Sequence, residues 1–307
     1  MVKKIIKSVL PKEAYCGLAN IYRFFRPKKK WYKGMTSPQE QEYFEHYTKK
    51  IYSGLGEVVD LGCWLGSTTI PLAKGLARRR QIIKKNKKIH AFDRFIWENW
   101  MDRYAYGCYR SYRDGDSFLS EFEERTKQWS KLIKIHIGDL QTIGWDGGKI
   151  EFLLIDAMKS WELANSILKD FFPQLIPGHS YIVHQDFKHY YTSWIHLINY
   201  RFREYFTMIY NIPWSASIVL KYIKPINEQL LKESYSFESF SPGEIDEAFN
   251  YSMSLVPKEE HSSIAAAKVM LYIHLKQEEK AREELKKFLS QGVSSQSEIA
   301  IVMNMLP

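Results

Sequence analysis

The sequence predicts an α/β protein built on an open, mostly parallel sheet. Between residues 57 and 186, short apolar segments typical of fully buried strands alternate with longer stretches that fit helices. A tight glycine turn follows the first of these strands directly. Two further strands, joined through Pro213-Trp214-Ser215, predict an antiparallel hairpin at the end of the sheet.

The individual elements follow from local signals. The motif Ser37-Pro38-Gln39-Glu40 is a capping box with proline at the first helical position, and it predicts a helix that ends near Ser53. A second helix is expected over Thr69–Arg80. The predicted strands cover residues 58–61, 89–93, 131–137, 151–155, 181–184, 205–211 and 217–223.

The turn after the first strand predicts a ligand site. Gly62 and Gly66 allow the backbone to approach a ligand that a Cβ atom would exclude, and Ser67 or Thr68 can cap the next helix. A strand, a glycine turn and a helix N-terminus together suit a nucleotide. The spacing differs from the Gly-x-Gly-x-x-Gly of dinucleotide folds and disfavours NAD. Asp93 ends the second strand, where it can accept hydrogen bonds from ribose hydroxyls or, alternatively, cap the next segment.

Composition limits the classes of function. No apolar run approaches the roughly 20 residues of a membrane span. The three cysteines form no Cys-x-x-Cys pair, so they indicate neither a disulfide framework nor a zinc site and agree with a reducing cytoplasm. Residues 1–33 hold ten Lys or Arg and a single acid, which accounts for the whole net charge of +9. The remainder is near neutral on average, which argues against nucleic acid as a partner.

The basic N-terminal segment carries aromatic and aliphatic side chains between its charges. Such a segment can lie on an anionic membrane, so we expect an amphipathic helical arm over residues 1–36 with peripheral membrane contact through residues 1–33. A solvated helix packed on its own domain is the alternative. The expected location is therefore cytoplasmic, either free or at the membrane periphery.

Several motifs occur in order along the chain: Asp60-Leu61-Gly62-Cys63-Trp64-Leu65-Gly66-Ser67-Thr68, the acid Asp93, Gly138-Asp139, the strand end Leu154-Ile155-Asp156 and the terminal hairpin. Together they resemble the class I S-adenosylmethionine-dependent methyltransferase family over roughly residues 40–224. The resemblance implies a Rossmann-like, seven-stranded, mostly parallel sheet with an antiparallel terminal hairpin. It also implies S-adenosylmethionine as the cofactor.

The same resemblance assigns the cofactor-binding residues. Gly62 and Gly66 would approach the methionine part of the cofactor. Asp93 would hold the ribose, and Asp139 would bind near the adenine. The complete expected set is Asp60, Gly62, Gly66, Ser67, Asp93 and Asp139.

Methyl transfer from a sulfonium is an in-line displacement, so the protein mainly positions the acceptor and handles its proton. Asp156 ends the fourth strand, and Gln185 and Asp186 follow the fifth. The carboxyl ends of adjacent parallel strands face the crevice in which ligands bind. Two carboxylates and an amide oxygen suit a hard divalent cation such as magnesium or manganese. We therefore expect these three side chains to converge as metal ligands.

This arrangement is similar to that of the metal-dependent catechol and caffeoyl-coenzyme A O-methyltransferases and of the macrolide-sugar O-methyltransferases. The resemblance implies that Lys159, three positions past Asp156, helps to take the acceptor's proton. Gln185 departs from the family, which has an acid there, and its neutral amide lowers the negative charge of the site. A route without metal uses His184 or Asp156 as the direct base, with Asp186 orienting it. Helix capping or a buried polar pair is the structural alternative for His184 and Asp186.

The segment 94–130 is longer than a simple crossover needs and is rich in aromatic residues and arginine. Such side chains suit stacking against a sugar or aromatic acceptor and holding an anionic group. An ordinary packed helix with an irregular loop is the alternative.

Beyond residue 224 the sequence predicts helices. Ser241-Pro242-Gly243-Glu244 is a second capping box, and Ile264–Leu275 with Glu278–Leu289 resembles a tetratricopeptide-type α-helical hairpin. One hairpin cannot form a solenoid, so it is expected to pack on the sheet domain or on a second subunit of a homo-oligomer. The predicted division is an arm at 1–36, a methyltransferase domain at 37–224 and a helical region at 225–307.

The leading functional hypothesis is an S-adenosylmethionine-dependent methyltransferase that acts on a hydroxyl oxygen of a small molecule or glycan, with a divalent metal assisting. The alternative is a catalytically inactive protein of the same fold that recruits a partner or a membrane. Nucleic-acid methylation ranks third, because no Asn-Pro-Pro-Tyr-like motif is present and the basic surplus lies in one arm.

Overall fold

The computed structural model describes residues 32–294 and 298–306. The predicted basic arm lies almost entirely outside the described residues, so its contact with a membrane stays a prediction. Within the described part of the chain, no helix combines the length and the apolar composition needed to cross a membrane.

The main structural element is a seven-stranded sheet with the order β3-β2-β1-β4-β5-β7-β6. Strands β1 to β5 are parallel, and β7 runs antiparallel to both β5 and β6. The predicted fold class, including the antiparallel terminal hairpin, is confirmed. The strands are β1 Glu57–Leu61, β2 Ile89–Asp93, β3 Ile133–Ile137, β4 Ile150–Ile155, β5 Tyr181–His184, β6 Phe206–Asn211 and β7 Ile218–Tyr222.

Helices follow the strands in the order that the sequence predicts. In the sheet region they are α1 Pro38–His46, α2 Thr69–Leu76, α3 Arg80–Ile83, α4 Leu119–Thr126, α5 Trp161–Asp170 and α6 Ser193–Arg201. The C-terminal helices are α7 Glu228–Lys232, α8 Pro242–Ser254, α9 His261–His274, α10 Glu278–Ser290 and α11 Glu298–Met305.

Local signals fixed the helix starts better than the helix ends. Both capping boxes are present, at Ser37 before α1 and at Ser241 before α8. The helix expected to end near Ser53 does extend to Ile51, but it changes from α to π geometry over Tyr47–Ile51. The expected helix over Thr69–Arg80 is also too long, since the bonds that follow Leu76 tighten to the i→i+3 type and a separate helix begins at Arg80.

The two faces of the sheet bury separate cores. Successive side chains of a strand point to opposite faces, so Val58 packs with α1 and α2, whereas Val59 and Leu61 pack with α5 and α6. The β4 strand is buried along its whole length, as expected for a strand covered on both faces.

The C-terminal helices pack on the sheet region of the same chain. Helices α8 and α9 contact α6, and α10 and α11 contact α9. The predicted helical hairpin is confirmed as α9 and α10, and its apolar residues join the core beneath α5 and α6. The structure adds α11, which the sequence analysis did not predict. The proposed domain boundary at residue 224 stays a prediction.

Candidate active site

The site lies at the carboxyl edge of the sheet, where β1 stands between β2 and β4. Strands β2 and β3, which follow β1 in sequence, lie on one side of it, and β4 and β5 lie on the other. Such a topological switch point opens a crevice at the carboxyl ends of parallel strands. Residues that follow β1, β2, β3, β4 and β5 therefore share this edge. Most of the predicted site residues belong to this group.

Both predicted glycines adopt left-handed backbone angles, with φ of +87° at Gly62 and +83° at Gly66. A Cβ atom on Gly62 would lie 2.9 Å from the carbonyl oxygen of Asp156, and one on Gly66 would lie 3.3 Å from the side chain of Thr126. The close approaches that these glycines permit are thus to the protein itself. Their contact with a cofactor stays a prediction.

Asp60 organises the start of α2. Its Oδ2 atom accepts hydrogen bonds from Thr68 Oγ1 at 2.8 Å and Thr69 Oγ1 at 2.6 Å. Burial raises the pKa of Asp60 to about 6, against the effect of these hydroxyl donors. The expected cap by Thr68 is therefore wrong, because the Thr68 hydroxyl donates to Asp60 and accepts no backbone N–H from the first turn of α2. The Ser67 hydroxyl lies 2.7 Å from that of Thr36.

Asp93 holds the loops on either side of the crevice. Its Oδ2 accepts the backbone N–H of Trp64 at 2.8 Å, and its Oδ1 accepts that of Phe95 at 2.9 Å. Both donors have left-handed backbones, with φ of 43° at Trp64 and 56° at Phe95, a strain that is typical of functional sites. Burial raises the pKa of Asp93, and the backbone donors oppose that rise.

The residues present fit S-adenosylmethionine. Asp60 Oδ1 and Trp64 Nε1 are buried polar atoms without a hydrogen-bond partner in the described part of the chain. The Asp93 carboxylate has about four lone-pair positions and accepts the backbone N–H groups of Trp64, Phe95 and Arg94, so it can still accept a ribose hydroxyl. Asp139, just past β3, accepts a backbone hydrogen bond from Gln141 at 2.9 Å and keeps similar capacity.

Lys159 joins the two acids that follow β4 and β5. Its Nζ atom lies 2.8 Å from Asp156 Oδ1 and also bonds Asp186 Oδ2. Burial raises the pKa of Asp156, which the neighbouring Lys159 ammonium opposes and the Asp186 carboxylate reinforces. Burial by itself would lower the pKa of Lys159, but the Asp156 and Asp186 carboxylates raise it above its usual value. Lys159 is therefore an ammonium at neutral pH.

This arrangement does not fit a divalent cation. The Lys159 ammonium lies between Asp156 and Asp186, which are the two carboxylates expected to bind the metal. Within residues 32–294 and 298–306, no group of three His, Cys, Asp or Glu side chains has a geometry that could hold a metal ion. The predicted magnesium or manganese site at Asp156, Gln185 and Asp186 is not supported by this geometry.

Gln185 and His184 face different surroundings. The Gln185 side chain is buried beside Asp186, and its Oε1 atom has no partner among the described residues. His184 is buried in the sheet, and burial lowers its pKa to about 4, so the ring is neutral at pH 7. It lies near His196 of α6, and the Asp186 charge partly opposes the lowering of the His184 pKa. The proposed roles of both residues stay predictions.

Sequence reasoning missed Glu40, which is buried at the start of α1. Its Oε1 accepts from the Ser217 hydroxyl and its Oε2 from the backbone N–H of Ser37 at 2.7 Å. Burial raises the pKa of Glu40, and the Asp186 charge adds to that rise. The capping box predicted the bond to Ser37, but the contact with Ser217 spans 177 positions and has no local signal.

The aromatic residues of segment 94–130 divide into two groups. Phe95, Trp97 and Phe118 are buried in a small core under the crevice. Trp100, Tyr106 and Tyr109 are exposed. The packed alternative holds for the first group, and acceptor binding stays a prediction for the second.

Comparisons with known proteins found solved structures that are similar to this chain. The O-methyltransferase NovP has a TM-score of 0.50 and 13% identity, with 62% of this chain and 83% of NovP covered. The calicheamicin methyltransferase CalS11 has a TM-score of 0.41 and 13% identity, with 72% and 89% covered. Cofactor-bound Rv0187 from MTB has a TM-score of 0.38 and 14% identity, with 72% and 95% covered.

The similarity to NovP shows that the chain has the fold of this O-methyltransferase, and the predicted resemblance is confirmed at that level. No protein-family model and no curated protein sequence matches the chain.

Proposed function

We propose that this protein transfers the methyl group of S-adenosylmethionine to a hydroxyl oxygen of a small molecule or glycan. We call Asp156, Lys159 and Asp186 the Lys159 cluster. The observation that carries the proposal is the contact between the glycine turn and this cluster. The backbone of Asp156 donates its N–H to Leu61 at 2.9 Å, and its carbonyl approaches Gly62. A methyl donor at the turn would therefore lie beside Asp156, Lys159 and Asp186.

The three charged side chains suggest how the acceptor's proton is handled. The Asp156 carboxylate, whose pKa burial raises, is a stronger base than an ordinary aspartate and accepts the proton of the hydroxyl. The Lys159 ammonium stabilises the oxygen as negative charge develops on it. Asp186 holds the ammonium in position. The cofactor supplies an electrophilic methyl group, and the products are a methyl ether, S-adenosylhomocysteine and the proton left on Asp156.

Lys159 thus acts as the cation of the site in this proposal, and not as the base that the sequence analysis expected. Its raised pKa keeps it protonated, so it donates hydrogen bonds and cannot accept the proton. No step of the proposal requires a divalent metal.

Cofactor binding is tested by titration calorimetry with S-adenosylhomocysteine. We expect one site per chain. Asp139→Ala should weaken binding about tenfold, which is the loss of one charge-assisted hydrogen bond. Asp146→Ala, an exposed acid of the same loop after β3, is the matched control and should bind normally. No binding by the folded chain, or equal loss in both variants, would contradict the proposed cofactor site.

Catalysis is tested with a panel of phenols, sugars and glycosides, by measuring formation of S-adenosylhomocysteine. An acceptor should be turned over equally well with excess chelator and with added magnesium. Loss of turnover in chelator, restored by magnesium, would favour the metal-assisted route that the sequence analysis expected. It would also require Lys159 to move away from Asp156 and Asp186.

One observation favours the alternative of an inactive protein with this fold. Both Asp93 oxygens already accept backbone hydrogen bonds, and the Trp64 ring is buried against Trp97 and Tyr104 beside them. If these contacts close the crevice permanently, S-adenosylhomocysteine will not bind. Normal binding without turnover of any acceptor would instead leave the acceptor unidentified.

A further inference from the structure

The amino edge of the sheet, opposite the candidate active site, carries a local concentration of positive charge. Residues 61–92 contain eight Lys or Arg and not a single Asp or Glu. Seven of the eight lie within residues 78–88, around α3 and the start of β2. The near-neutral average of the chain beyond residue 33 conceals this cluster.

Two segments form one surface at this edge. Arg79 donates to the carbonyl of Lys49 at 3.1 Å, and Lys85 donates to that of Ser53 at 3.3 Å. Gly54 packs closely on Ile82, because a Cβ atom added to Gly54 would lie only 3.1 Å from the Ile82 side chain. We call the surface of residues 49–55 and 78–85 the amino-edge surface.

The charges of the amino-edge surface are mostly not neutralised. Glu45 pairs with Lys74 and Arg78, and Glu57 pairs with Lys87. The buried Glu151 accepts the backbone N–H groups of Ser53, Leu55 and Gly56. Arg80 and Lys84 are exposed and form no ion pair with any residue from 32 to 294 or from 298 to 306. Positive charge therefore remains available to an anionic partner.

Large aliphatic side chains are exposed on the same two segments as these cations. Ile51, Leu55 and Ile83 are exposed, and Leu55 is 52% exposed. Exposed aliphatic side chains on segments rich in Lys and Arg match a lipid surface, because the cations attract anionic headgroups and the apolar side chains enter the acyl boundary. Single-stranded nucleic acid would instead require exposed aromatic rings for stacking, and Tyr52, the aromatic residue of these two segments, is fully buried.

We propose that the amino-edge surface binds an anionic membrane. The strands of the sheet separate it from the candidate active site by roughly 15 Å. Bound in this way, the protein would turn its crevice away from the lipid and toward the aqueous phase. This proposal is independent of the proposed methyl transfer, and it is separate from the predicted contact through residues 1–33.

The test uses the full chain and its sedimentation with vesicles of phosphatidylcholine alone or with about one-third phosphatidylserine. Arg80→Gln with Lys84→Gln should lower the partition coefficient on the order of tenfold, since each cation contributes substantially near an anionic surface. Leu55→Ser with Ile83→Ser should lower it to a similar extent, and this loss should persist at high salt, which screens charges and leaves apolar contacts. Residues 1–31 are unchanged in every variant, so any contribution from them is constant.

The matched control is Arg282→Gln with Lys286→Gln, two exposed cations of α10, which should bind vesicles as the unmodified chain does. Circular dichroism confirms that each variant is folded. Equal binding by the unmodified chain and both amino-edge variants would overturn the proposal, as would no preference for phosphatidylserine. Loss with the charge variant alone, together with tight binding to duplex RNA, would assign the surface to nucleic acid instead.

Discussion

Two lysines of this protein each bridge a pair of carboxylates, in very different surroundings. Lys159 joins Asp156 and Asp186 at the carboxyl edge of the sheet, and its side chain is 44% exposed. Lys268 of α9 joins Asp246 of α8 and Glu284 of α10, and its side chain is 4% exposed. Lys268 also lies 5.7 Å from the centre of the Phe288 ring.

The comparison shows that an acid–lysine–acid composition does not by itself define a functional site. The Lys268 cluster connects three helices, and its lysine side chain is almost fully enclosed, which leaves little surface on which a ligand could bind. The Lys159 cluster lies where strands end and a crevice opens, so its charges can act on a bound molecule. We expect mutations to separate these roles, since one cluster should affect turnover and the other the free energy of unfolding.

The largest expected effect is on catalysis at Lys159. Lys159→Met should lower turnover of an acceptor from the hydroxyl panel by about 10²- to 10⁴-fold, because no cation then stabilises the developing oxyanion. The free energy of unfolding should fall by less than in Lys268→Met, because the Lys159 side chain is 44% exposed and the Lys268 side chain is 4% exposed. Chemical denaturation and calorimetry with S-adenosylhomocysteine provide the controls. A loss of cofactor affinity equal to the loss of turnover would assign Lys159 to binding instead.

The second effect is on stability at Lys268. Lys268→Met should lower the free energy of unfolding by about 3 kcal/mol, because the largely buried Glu284 carboxylate loses its partner. Turnover per folded molecule should not change. Urea denaturation followed by circular dichroism measures the first quantity. A variant as stable as the unmodified chain would mean that Met packing compensates for the lost ion pair.

The third effect is a difference in pH dependence. Turnover should fall about tenfold per pH unit as the pH drops below the pKa of Asp156, because the proposed base must be unprotonated. Burial raises that pKa, so this acid limb should lie well above pH 4. The same shift lowers stability as pH rises through this window, because the folded chain holds the proton more tightly than the unfolded chain.

The control for the pH profile is Asp246→Asn in the Lys268 cluster, which should leave the acid limb in place. A limb at the ordinary aspartate pKa would show that Asp156 does not act as the base. An acid limb near pH 4 would also match the lowered pKa of His184. In that case His184→Gln would remove the limb if His184 were the base, and would leave it in place if it were not.

The smallest expected effect is the difference in unfolding free energy between substitutions of the two acids that pair with Lys268. Asp246 is about half exposed, so Asp246→Asn should cost less than about 1 kcal/mol of unfolding free energy. Glu284 is largely buried, and Glu284→Gln should cost more, because it removes the less solvated partner of the buried ammonium. Equal costs in urea denaturation would indicate that burial does not distinguish these two ion pairs.

The Lys159 and Lys268 clusters also differ in how far the sequence predicted them. The sequence predicted Asp156, Lys159 and Asp186 as neighbours, because each follows a recognisable strand at the same edge of the sheet. Nothing in the sequence predicted Glu40 as their neighbour or the Lys268 cluster. Those contacts depend on how helices pack, and helix packing is decided by the fit of many side chains and not by a local pattern.

The sequence by itself predicted the seven strands along the chain, the terminal hairpin, the two capping boxes and the edge of the sheet on which the acids lie. These features follow from local periodicity and from the direction of the chain, which residues within a few positions of one another specify. Only the tertiary structure decided that the Lys159 ammonium lies between its carboxylates, that Gly62 faces Asp156, and that two basic segments share the amino-edge surface. The physical reason is distance along the chain, since each of these contacts, except that of Lys159 with Asp156, joins residues about 27 to 94 positions apart, and packing alone brings them together.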